Sequence, residues 1–164
     1  MAKNNYLISG LPGTGKSSIC EALNLQGYTA IDADKAFSFR GDPETGLPTT
    51  DPNKLTWLWD KVKLERILND QTKENIFICG SATNRDKFLD RFTQVFILRI
   101  DDNTLKHRLQ NRTNNNFGKN PTILKRQIAH NKGVVTYVQK MGFVLIDATK
   151  SIEAVINEIQ TYLK

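Results

Sequence analysis

The run Gly10-Leu11-Pro12-Gly13-Thr14-Gly15-Lys16-Ser17 matches the spacing G-x-x-x-x-G-K-[ST] at every specified position. Glycines at that spacing let successive backbone N–H groups turn inward as a nest for an anion. The helix that follows the loop adds the positive end of its dipole. The lysine can then reach the β- and γ-phosphates of a nucleotide, and the following hydroxyl can ligate Mg2+. The chemistry open to this run is polyphosphate binding, with ATP and Mg2+ as the expected ligands. Gly10, Gly13, Thr14, Gly15, Lys16, Ser17 and Ser18 are the expected contacts. A purely structural glycine turn is the alternative, and the flanks argue against it. The apolar run Tyr6-Leu7-Ile8-Ser9 precedes the loop, and a helical spacing of Ile19, Cys20, Leu23 and Leu25 follows until Gly27.

A second acidic feature, Asp32-Ala33-Asp34, comes directly after the strand-like run Tyr28 to Ile31. Both carboxylates are expected at the carboxyl end of a strand, the edge where open α/β sheets place ligands. One can assist Mg2+ through water, with Ser17 and Asp32 as the expected metal side, although the spacing leaves open which carboxylate takes which task. The other, Asp34, can face an acceptor as general base. The competing expectation is that this pair only caps a short helix over residues 34–38. Neither apolar run at 76–79 or 95–98 ends on an aspartate, and Asp101 reads as a helix start.

From Asn103 to Ile146 the chain carries eight Lys or Arg and no Asp or Glu, while the other 120 residues carry 15 basic and 17 acidic side chains. This one segment holds the whole positive excess of the +6 net charge. A solvated helix face, a nucleic-acid surface and a polyphosphate lid are the possible readings. The phosphate loop favours the lid, so nucleic acid is not the expected partner. Arg108 and Arg112 lie four apart and share a helix face at the lid's entry. Arg112, with Lys119 or Arg126, is expected at the transferred phosphoryl group. Arg108 stands between a nucleotide contact and background charge. Lys106, Lys132 and Lys140 read as background, and His107 and His130 as surface residues.

The elements that must position these groups alternate. Strands are expected near 6–9, 28–32, 76–79, 95–98 and 143–146. Helices are expected over 17–26, 54–71, 102–112, 122–141 and 151–163, with Gly133 weakening the fourth. Residues 39–53 read as loop, punctuated by Gly41, Pro43, Gly46, Pro48 and Pro52. Trp57 and Trp59, two apart on the expected helix, cannot share a face, so one belongs in the core and the other at a pocket or the surface. This alternation predicts an α/β fold: three layers, about five parallel strands, helices on both faces. Ser81, Asn84 and Arg85 follow a strand end on the ligand edge and are expected to meet the acceptor. Arg40, in the long loop, can pair with an acidic one.

These features resemble the adenylate-kinase-like group of small P-loop kinases, and within it the gluconate and shikimate kinases. The resemblance rests on the loop at 10–17, the Asp32/Asp34 pair, Gly46-Leu47-Pro48 through Asp51 to Trp57-Leu58, the run Cys79 to Arg85, and Arg108-Leu109-Gln110-Asn111-Arg112. It implies strand order 2-3-1-4-5 and transfer of the ATP γ-phosphoryl group to a small-molecule hydroxyl. It also implies a lid near 113–121, a substrate region near 34–70, and an adenine-edge loop at Asp147–Lys150 that includes Thr149. An N-cap turn is an equal reading of that last loop. Thr113 to Lys119 departs from the gluconate-type loop, so the acceptor stays open. A nucleoside or nucleotide kinase, a nucleic-acid end kinase and a non-catalytic ATP-binding regulator are the alternatives.

With 164 residues, 39% apolar and 24% charged, the chain is expected to form one globular domain. No apolar run reaches spanning length and no signal-peptide core is apparent, so a cytoplasmic monomer or dimer is expected. Cys20 and Cys79 match no metal spacing and read as free, buried thiols.

Overall fold

The computed structural model describes residues 4–113 and 116–164. Five strands form one parallel sheet: β1 (Asn4–Gly10), β2 (Thr29–Asp32), β5 (Asn75–Cys79), β6 (Gln94–Arg99) and β7 (Val144–Asp147). Their spatial order is β2-β5-β1-β6-β7, which is 2-3-1-4-5 when the sheet strands are counted alone. Every neighbouring pair is parallel, with Leu7 opposite Ile78 on one side and Val95 on the other.

Alternation along these strands makes the layers. Tyr6, Ile8, Phe77, Phe96 and Leu98 face one core, which also takes Ile19 and Leu23 of α1 (Lys16–Leu25), Leu105 and Leu109 of α4 (Asp102–Gln110), and Val155 and Ile159 of α6 (Ile152–Gln160). Leu7, Ile76, Ile78, Val95 and Ile97 face the other, with Ala33 of α2 (Ala33–Ala36), Leu64 and Leu68 of α3 (Lys61–Leu68), and Val138 of α5 (Pro121–Met141). Strands buried on both faces read as continuous apolar runs, as β5 and β6 do. Helix α5 contributes Leu124 to the first core and Val138 to the second, so it runs from one layer to the other.

Two expectations are corrected. Residues 54–71 are not one helix: Thr56–Trp59 is strand β4, antiparallel to β3 (Ser38–Gly41), and α3 starts only at Lys61. Asp60 makes the boundary, its carboxylate accepting from the Lys63 N–H at 3.0 Å as N-cap. The β-prone Thr-Trp-Leu-Trp run pairs instead of coiling, and the loop expected from residue 39 begins only after Gly41. Gly133, by contrast, leaves α5 continuous. Pro121 sits in its first turn, where a missing N–H costs nothing, and the Asn120 side chain caps Thr122 and Ile123. Asp101 caps α4 as expected, accepting from the Thr104 N–H at 2.8 Å and its hydroxyl at 2.6 Å. Of the expected lid, residues 114 and 115 lie outside the described residues.

Candidate nucleotide and acceptor site

Gly15 starts the site. It caps α1 with φ 97°, a conformation that side chains disfavour, and so aims the first free N–H groups of the helix into the loop. Thr14 is buried and its hydroxyl closes the loop onto the Leu11 carbonyl at 2.7 Å, so that side chain is a structural tie. The half-buried Lys16 ammonium donates to the carbonyls of Gly10 at 2.7 Å and Leu11 at 3.0 Å. Burial lowers its pKa to about 8; Asp34 pulls it back up and Arg112 pushes it further down. Both effects place Asp34 and Arg112 within electrostatic reach of the loop.

The Asp pair divides its work. Asp32 Oδ1 accepts from the Asp34 N–H at 3.0 Å as the cap of α2, while its Oδ2 accepts from the Ser17 hydroxyl at 3.3 Å. Capping and a contact to the Ser17 hydroxyl therefore coexist in one residue. Among the described residues no group of three or more His, Cys, Asp or Glu gathers as a metal cage. A hydroxyl and a carboxylate side by side, both hard oxygen donors, instead suit Mg2+, which keeps several waters and takes few protein ligands. Asp34 is exposed, and its pKa is raised by burial of the carboxyl and then by Asp32, with Lys16 opposing. Gly80, just past β5, packs on α2 so closely that a Cβ there would stand 2.6 Å from the Ala33 Cβ.

The basic residues are distributed unevenly. Arg108 donates to the Gly13 carbonyl at 3.3 Å and is a loop contact, not background charge. Lys119, Arg126 and Ser18 are exposed. Thr149 donates its N–H to Asp147 Oδ1 at 3.0 Å and lines a crevice of about 470 Å³ with Arg99, Asp101 and Glu158; Ser151, not this turn, caps α6.

A second cavity, about 390 Å³, opens on Gly10 and Leu11 and is closed by Ser81, Arg85 and Ile97. Its remaining wall is one face of α5: Ala129, His130, Gly133, Val134 and Tyr137. Ser81 and Arg85 are thus brought to the loop as expected. Asn84 is not: its amide accepts from the Trp59 N–H at 2.8 Å and donates to the Trp59 carbonyl at 3.0 Å, pinning the hairpin to the sheet. Arg40 points elsewhere and lies over the exposed Trp57 ring, 5.8 Å from its centroid, while Trp59 is core. The contribution of α5 was missed. The signal for it was Gly133, a glycine inside a helical pattern that needs a packing or functional reason. His130 is exposed as expected, yet it lines the cavity.

Solved structures share this fold. A gluconokinase from Sinorhizobium meliloti 1021 aligns over 94% of this chain and 88% of its own with TM-score 0.53 and 19% identity. A sugar kinase from Janibacter sp. HTCC2649 aligns over 98% and 94% with TM-score 0.59 and 18% identity. A shikimate kinase from Acinetobacter baumannii in complex with shikimate aligns over 99% and 97% with TM-score 0.59 and 15% identity. At these identities the likeness is one of fold. No curated protein matches the sequence. The match that reaches the sequence itself is to a family model described as AAA domain, over residues 7–129. It covers the phosphate loop, the Asp pair, Arg108 and Arg112, and the first turns of α5, and the chain belongs to that AAA domain family.

Proposed function

We propose that this protein is a P-loop kinase that moves the γ-phosphoryl group of ATP to a hydroxyl of a small molecule. The observation that carries the reading is the cavity of about 390 Å³ that opens directly onto Gly10 and Leu11 of the phosphate loop. An ATPase driving motion has no need of a second small-molecule chamber at that point.

In this reading Lys16 leaves the Gly10 and Leu11 carbonyls for the β- and γ-phosphates, and its charge is restored by them. Ser17 and Asp32 hold Mg2+, which when bound neutralises charge on the phosphate oxygens. Asp34 accepts the acceptor's hydroxyl proton as the new P–O bond forms and the bond to ADP breaks. Arg112 adds positive charge near the transferring group, and Lys119 or Arg126 joins it from the lid. Arg108 steadies the loop through Gly13. A tryptophan on which a nucleoside's base could stack is missing from the cavity, because neither Trp57 nor Trp59 lines it.

The test is ADP formation from ATP and Mg2+ with sugar acids, polyols, cyclitols, shikimate, nucleosides and nucleotides. Turnover is expected to depend on one acceptor class and to fall by about 10²-fold or more in Lys16→Ala, as for loss of a preorganised charge donor. Equal turnover by the Lys16→Ala protein would refute the assignment of the loop.

A further inference from the structure

Arg85 is the one Lys, Arg, Asp or Glu among the described residues lining the acceptor cavity, and its charge is already matched. Its Nε and Nη2 donate to the same oxygen of Asp86 at 3.0 and 2.8 Å. Nη2 donates also to the Tyr137 hydroxyl at 2.6 Å, and Nη1 to the hydroxyl of the fully buried Ser9 at 3.1 Å. The Tyr137 ring covers the guanidinium, 5.7 Å from its centroid. A guanidinium has five N–H donors in a fixed plane. Those four contacts, to β1, to α5 and to its own neighbour, leave a single Nη1 hydrogen uncommitted among the described residues.

Most of the remaining wall is apolar: Leu11, Ile97, Ala129, Val134, the Tyr137 ring and the bare backbone of Gly133, where a Cβ would meet nothing within 4 Å; Ser81 and the exposed His130 are its other polar side chains. A ligand carboxylate laid on the apolar part of this wall would have to share the arginine with Asp86 behind it, with His130 at the exposed side as the one other group lining the cavity that can take a positive charge among the described residues. A neutral ring can lay one face on this wall and place its hydroxyls at Ser81.

We propose that the acceptor is uncharged, a compact alcohol with one apolar face, and not a hydroxy acid such as the shikimate bound in the Acinetobacter structure. This rests on the reading of the cavity as the acceptor site. It makes Asp86 a specificity-determining residue, because it holds Arg85 unavailable to anions.

Asp86 is exposed, so Asp86→Asn keeps the side-chain shape and removes only the counter-charge. With ADP and Mg2+ filling the phosphate loop, shikimate and its methyl ester are titrated calorimetrically into wild type and Asp86→Asn. Freeing Arg85 is expected to tighten shikimate binding by about tenfold or more, with ester affinity changed by less than about threefold. No gain in shikimate affinity, whether both proteins bind it equally or neither binds it, overturns the proposal, as does wild type binding the acid more tightly than the ester. The titration measures no phosphoryl transfer and reports on the cavity's charge alone. Failure of the kinase reading would appear instead as ATP consumption that no acceptor stimulates.

Discussion

Asp34 and Lys16 perturb each other across the mouth of the phosphate loop. Burial and Asp32 raise the carboxyl, and burial lowers the ammonium to about 8. A carboxylate made more basic accepts a hydroxyl proton more readily, and it works only when deprotonated. Its folded pKa lies above the ordinary carboxylate value, so kcat/KM is expected to fall as pH drops through that raised pKa. Asp34→Asn is expected to lose this acid limb and to lower turnover about 10²–10⁴-fold with ATP affinity little changed. Nearly full turnover in that variant would remove Asp34 as the base. The loop and the Asp pair were legible in the sequence because the ligand dictates residue type at fixed spacing. Asn84 and Tyr137 were not. An amide's partners are set by folding, here Trp59, 25 residues away, and Tyr137 meets Arg85 across 52.

At the scale of elements, order and layering followed from the apolar runs, since strands covered on both faces leave few ways to be arranged. The hairpin did not. Leu55, Leu58 and Val62 have helical spacing, but they straddle the β4–α3 boundary that Asp60 imposes. The packing of Gly80 on Ala33 shows how closely these elements position the site, because α2 carries Asp34. Gly80→Ala must separate that contact. The expected cost is about 1–3 kcal/mol of stability, as for overpacking a filled core. Urea unfolding measures it, and turnover should fall with it because Asp34 moves. An unchanged urea midpoint would mean that α2 is free to shift.

Across the whole molecule, positive charge gathers in the segment that packs beside the phosphate loop. The acid-free stretch from residue 103 to 146 supplies Arg108 on the loop and Arg112 near Lys16, then α5 crosses between layers to wall the cavity beside the loop. One segment therefore reaches both the phosphate loop and the cavity beside it, which composition alone could not reveal, because only tertiary packing turns Gly133 and Tyr137 toward the loop. Among the described residues no helix is long and apolar enough to cross a membrane. The central claim is that phosphoryl transfer goes to a carbon-borne hydroxyl and not to water. Phosphorus NMR of the protein with ATP, Mg2+ and the acceptor from the screen tests it directly. A new phosphomonoester signal, growing in step with ADP and absent with Lys16→Ala, is the expected result. Orthophosphate as the sole phosphorus product besides ADP, formed at the same rate with or without acceptor, would contradict it.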